Sequence, residues 1–285
     1  MIGGQLVFDS SIRIILAAVA GLLCGLTPGL GAASSSHPTS RQGEPIPATP
    51  SLADAAPVVS VETPHPDQEA GKPHRPFVPT SDYRTRTVEG WTIHVNKGLL
   101  TDQRELGERA LRLLDVKLYD IVRVVPARAV EQLRQVPIWL GINDGHALCS
   151  EYHPNRDWLA ANGYNPDKAK SVEIGNASRF IDWAHDQPFM VLHELAHAYH
   201  DRVLSFDNPE VKAAYDHALK AGLYASVLRC NGKMERAYAL TDEHEYFAEG
   251  TESYFGTNDY YPFVRAELQA YDPILADLLK KVWGL

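Results

Sequence analysis

His193, Glu194, Leu195, Ala196 and His197 form an H-E-x-x-H run. On a helix, residues four apart share one face, so both imidazoles can point at one metal ion. Glu194, beside the first histidine, would reach a water bound to that ion and take its proton. Two histidines and a glutamate at this spacing also arise by chance, so the flanking residues must carry the reading. Asp186-Gln187-Pro188 reads as a helix start, with Asp186 as the N-cap and Pro188 in the first turn. Phe189, Met190, Leu192, Leu195, Ala196 and Ala198 supply an apolar body around a polar stripe of His193, Glu194, His197 and His200. Such a helix suits a buried catalytic position.

Two histidines leave a catalytic zinc site one protein ligand short. Such sites commonly add a glutamate and keep the fourth position for water. Downstream, Thr241 or Asp242 can cap a second helix in a capping-box arrangement, and that helix carries Glu245, Glu249 and Glu252 on one face. Tyr246, Phe247, Tyr254 and Phe255 give it bulk for packing. A third histidine ligand from the first helix fits less well. A metzincin run needs glycine at 200 and histidine at 203, where this chain has His200 and Val203. His200 also lies about 10 Å along the axis from His193 at ~1.5 Å per residue, too far to converge on one ion. It is expected to support the site from behind or to line the cleft wall.

HELAHAYH, followed by Tyr238 and EYFAE, resembles the glutamate-type zincin metallopeptidases, in particular the family of the anthrax lethal factor catalytic domain. The resemblance implies that Glu245, first of an E-x-x-x-E pair, is the third zinc ligand. It also implies that Glu249 is the carboxylate supporting a ligand, and that Tyr238, seven residues before Glu245, assists the transition state. The thermolysin-like branch has Asp four residues after the ligand, where this chain has Glu249. The likeness is strong from Phe189 to Phe255 and vague elsewhere. Larger relatives carry targeting and docking domains for which this chain has no room. The block from GYNPDKAKSVEIGNASRF to YFGTND is also similar to small secreted bacterial metallopeptidases.

These residues need a frame. Arg13, the apolar run Ile14–Leu26 and Gly31-Ala32-Ala33 predict a signal peptide over residues 1–33. The run is short of the roughly 20 apolar residues that a membrane span needs. Gly21 stands three before Cys24, where a lipoprotein box has leucine, which argues against lipidation. Residues 34–79 hold ten of the chain's 19 prolines and predict a disordered linker, a tether rather than a pro-segment.

Residues 80–285 then form one domain. Strands are expected at Thr87–Asn96, Val136–Ile142 and Lys170–Asn176, an amphipathic helix at Leu106–Val125, and terminal helices ending in Leu278–Trp283. Strands first and helices after predict an α+β, zincin-like, two-lobed metallopeptidase domain with the H-E-x-x-H helix closing the first lobe. The strand at Ser171–Asn176 is expected to lie along the cleft as an edge that pairs with substrate. Tyr152–Tyr164 is a candidate cleft wall. The net charge of −9 is unchanged by removing residues 1–33 and argues against nucleic acid as a partner. Cys149 and Cys230 survive cleavage and leave a disulfide open.

The expected protein is a monomeric secreted, periplasmic or cell-surface zinc peptidase acting on peptides or proteins. One Zn²⁺ is held by His193, His197 and Glu245, with Glu194 as general base and Tyr238 as oxyanion donor. A zinc amidase or peptidoglycan-crosslink hydrolase is the alternative enzyme, and a binding module with structural zinc is the non-catalytic one.

Overall fold

The computed structural model describes residues 77–144 and 149–285. The expected signal peptide, and the expected linker up to residue 76, lie outside the described residues. The fold begins with a hairpin, β1 (Tyr83–Val88) and β2 (Trp91–Asn96), paired antiparallel. Glu89 and Gly90 connect them with φ of 47° and 89°, the left-handed turn that matches strand twist. The single strand expected at Thr87–Asn96 is therefore the second arm of a hairpin whose turn falls inside that span.

Next come α1 (Arg104–Val124), α2 (Ala127–Leu133), β3 (Ile138–Leu140) and β4 (Ser150–Tyr152). Ala110, Leu114, Leu118 and Ile121 recur at helical spacing on α1 and are all buried. Gly107 lets this helix approach closely, because a Cβ there would sit 1.9 Å from the carbonyl oxygen of Leu99. After these come α3 (Arg156–Ala161), β5 (Val172–Ile174), α4 (Ala177–Trp183) and α5 (Met190–Tyr199), which is continued by a π-helical turn over His200–Leu204. The predicted helix start at Asp186 is corrected. Asp186–Gln187–Pro188 lies in the turn between α4 and α5, and α5 begins at Met190 with Phe189 at its N-cap.

The five-stranded sheet has the order β1-β2-β3-β5-β4, with β2, β3 and β5 parallel and both outer strands antiparallel. The expectation of an edge strand at Ser171–Asn176 is thus overturned. β5 lies between β3 and β4, and the edge near α5 is β4. One face of the sheet places Ile93, Val95, Ile138, Leu140, Val172 and Ile174 in the core with the helices. The opposite face carries His94 stacked on Trp139 at 4.2 Å, and a buried ionic cluster. There Lys168 Nζ meets Asp144 at 2.6 Å and also Glu173, while His153 Nε2 meets Glu173 at 2.8 Å. Residues 152–164, the candidate cleft wall, start at the end of β4 and run through α3 to Tyr164, whose ring lies 5.4 Å from that of His153.

Beyond α5 come α6 (Pro209–Ala221), the short pair β6 (Val227–Leu228) and β7 (Met234–Glu235), α7 (Glu243–Phe255), α8 (Arg265–Tyr271) and α9 (Pro273–Val282). Every residue of α7 from Tyr246 to Phe255 is buried. Tyr246 Oη donates to Asp272 at 2.6 Å, and Asp272 in turn caps α9 by accepting from Leu275 N. Among the described residues Cys149 and Cys230 are free, Cys149 buried and Cys230 exposed. Among the described residues no helix is long and apolar enough to cross a membrane. The architecture is mixed α and β.

Candidate metal centre

The site forms where α5 crosses α7 with β4 alongside. α5 is apolar on most sides, with Val191, Leu192, Leu195, Ala196 and Ala198 all buried, so the helix is fixed by packing. That packing turns His193 and His197 to one side, their rings 4.8 Å apart between centroids. α7 is fixed at its start by Asp242, whose side chain accepts from His244 N and Glu245 N at 2.9 Å each. Of the two residues able to cap it, Asp242 serves, and Thr241 belongs to the preceding turn. Gly256, at the far end of α7, gives the two helices a tight contact. A Cβ there would lie 2.2 Å from the Phe189 ring.

Three donor atoms converge. Glu245 Oε2 is 3.0 Å from His193 Nε2 and 3.3 Å from His197 Nε2. All three lie within 4.8 Å of one another, close enough to share one metal ion. Burial disfavours the Glu245 charge, but His197 and His193 outweigh it and hold the carboxyl far below its ordinary range. Burial likewise opposes charge on His193, yet hydrogen bonds to Glu245 and Glu252 raise its pKa well above the usual value.

Glu194 points to the sheet edge, where its Oε2 accepts from Tyr152 N at 2.8 Å. The backbone explains this. His153 N donates to Ser171 O and Gly175 N to Cys149 O, so the residues between, Ser150 and Tyr152, turn their backbone groups away from β5. Tyr238 sits in a single 3₁₀ turn, Tyr238–Leu240, just before α7 and is 41% exposed. Its hydroxyl donates to Glu245 Oε1 at 3.2 Å, and burial of the phenol oxygen together with the Glu245 charge keeps it protonated.

The structure therefore brings His193, Glu194, His197, Tyr238 and Glu245 into one group. Glu249 lies nearby, its Oε1 3.8 Å from His193 Nδ1, and its Oε2 accepts from Asn258 Nδ2 at 3.0 Å. Glu252, the last carboxylate of the acidic stripe, is nearer to that nitrogen at 2.8 Å. Its spacing puts it on the helix face of Glu245, as the spacing of Glu249 also does, and the crossing of α5 and α7 decides between them.

His200 is a correction. It lines no cleft, being fully buried against Phe206, His244 and Phe247, with neither ring nitrogen hydrogen-bonded. Its N–H still bonds Ala196 O and its backbone is helical, so it keeps the register of His193, but two turns on, that face of α5 packs against Phe206 and α7 instead of facing a cleft. Burial, with His244 and His197 nearby, lowers its pKa to about 3. No protein-family model matches the chain, and no curated protein or solved structure matches it either.

Proposed function

We propose that this protein is an exported zinc-dependent peptidase of zincin-like fold. The observation that carries the reading is the convergence of His193 Nε2, His197 Nε2 and Glu245 Oε2 beside Glu194. Two imidazoles and one carboxylate are the donor set of a hydrolytic zinc site that keeps a position open for water. The donors come from two packed helices, so they require little rearrangement to hold an ion. The order of elements agrees, because the whole five-stranded sheet precedes α5 and the chain beyond α5 is helical apart from β6 and β7.

A zinc ion held there supplies Lewis acidity, making water a nucleophile near neutral pH and polarising a carbonyl. The chain does the rest. Glu194 takes the proton from the attacking water and passes it to the leaving amine. Its hydrogen bond to Tyr152 N keeps the carboxylate at the sheet edge, where the scissile bond must lie. Tyr238 offers its hydroxyl to the oxygen that gains charge. An extended substrate backbone pairs with the outward groups of β4 that Glu194 leaves open, the N–H and C=O of Ser150 and the C=O of Tyr152, as added strands do at open edges. That selects peptides bound in extended form.

The decisive measurement is zinc content together with peptide-library cleavage for the full chain and for Glu194→Gln. Wild type is expected to hold one zinc and cleave. Glu194→Gln is expected to keep the zinc and lose turnover, because Glu194 is no ligand. Full activity in that variant would refute the mechanism, and release of cell-wall fragments without peptide cleavage would favour the amidase alternative.

A further inference from the structure

We infer that Glu252 is the positioning residue of His193, and that Glu249, the position implied by family likeness, belongs instead to the frame around Asn258. The inference rests on the zinc reading of His193, His197 and Glu245. α7 grips one imidazole at both edges, with Glu245 Oε2 3.0 Å from Nε2 and Glu252 Oε1 2.8 Å from Nδ1. Glu245 and Glu252 are seven residues apart, two turns on one helix face, so a single rigid element sets both contacts. A carboxylate accepting from Nδ1–H fixes the tautomer and leaves the Nε2 lone pair for a metal.

Glu252 is committed to this task. It is 3% exposed, its second oxygen has no hydrogen-bond partner, and the bond to His193 is the one its buried carboxylate makes. Glu249 is differently engaged. Its Oε1, at 3.8 Å, is beyond hydrogen-bond reach of Nδ1, while Oε2 takes the Asn258 amide. Asn258 in turn accepts from Asp259 N through Oδ1, which ties Glu249 to the loop after α7 rather than to the histidine.

The test is zinc affinity by chelator competition on the full chain, for wild type, Glu252→Ala, Glu252→Gln and Glu249→Gln. Loss of a ligand's supporting acceptor weakens metal binding about 10–100-fold, which is expected of Glu252→Ala. Glu252→Gln keeps an amide oxygen that can accept from Nδ1–H and should recover part of that loss. Glu249→Gln should bind as wild type does. Cobalt(II) loaded in place of zinc gives a readout that mere packing would not move. Its visible bands should shift in both Glu252 variants and stay put in Glu249→Gln. Melting of the metal-free proteins identifies a variant that fails to fold; if Glu252→Ala does, the two glutamine variants carry the comparison. Unchanged affinity and bands in the Glu252 variants, or an equal loss in Glu249→Gln, overturns the assignment alone. Absence of zinc uptake by wild type overturns the zinc reading with it.

Discussion

Tyr238 stands where one oxygen atom separates two roles. Its hydroxyl reaches Glu245 Oε1, so it could either hold that carboxylate in place or turn to a substrate oxygen as charge develops. The roles differ in what they cost when lost. A donor that acts only as charge develops lowers kcat and leaves KM alone. Tyr238→Phe keeps the ring and removes only the hydroxyl. The expected result is a fall in kcat of about 10²–10³, with zinc affinity and melting temperature unchanged. Weaker zinc binding at normal kcat would instead make Tyr238 a brace for Glu245.

At the scale of elements, the start of α7 is the part most exposed to a single change. Asp242 satisfies two backbone N–H groups there, and the second belongs to Glu245 itself. Asp242→Ala is expected to cost about 1 kcal/mol of stability, as lost N-caps do, and to weaken zinc binding as the first turn frays. Chemical unfolding and chelator competition check the two effects separately. The elements are unevenly legible from residue order. α1 is readable because Ala110, Leu114, Leu118 and Ile121 repeat at helical period over many turns. The hairpin reads as one strand because Glu89-Gly90 is a turn embedded in strand-like residues, and β4 escapes notice because three residues carry no usable alternation. His193, Glu194 and His197 declare themselves by spacing. Whether Glu249 or Glu252 reaches His193 depends on how two helices cross, and no local pattern encodes that. His200 obeys the helical period in the residue order and in the backbone alike, but what packs on that face two turns beyond His193, here Phe206 and α7, is not written in the spacing.

For the molecule as a whole, two buried charge problems set the response to mutation and acid. Lys168 lies between Asp144 and Glu173, all at most 8% exposed. Burial opposes the Glu173 charge, but the His153 hydrogen bond and Lys168 outweigh it, lowering its pKa to about 2. Lys168→Met leaves two buried carboxylates without their shared cation and is expected to destabilise by about 3–5 kcal/mol in denaturant unfolding. A loss below about 1 kcal/mol would show that the site relaxes or takes up a proton cheaply. His200 acts in the opposite sense. Folded, it resists protonation until about pH 3, whereas an unfolded histidine takes a proton near 6.5. Stability should therefore be undiminished by His200 above about pH 6.5 and fall as the pH drops towards 3, by up to about 1.4 kcal/mol per unit. Melting curves of wild type and His200→Leu between pH 7 and 4 isolate this share, since the other acids titrate in both. Parallel curves would refute it.

The clasp of α5 against α7, closed by Phe189 on Gly256, has a consequence for how the chain acquires its chemistry during folding. His193 and Glu245 are 52 residues apart in the chain, with α6 and the β6–β7 hairpin between them. The loop that joins them must close before any ion finds its third donor, and long-range closure of that kind is slow and comes late. A nascent chain that has built the sheet and α5 can offer only two imidazoles. Metal capture is thus coupled to the docking of α7, so in refolding the ability to retain zinc should appear together with burial of Tyr246 and Phe247, not with the earlier appearance of helix.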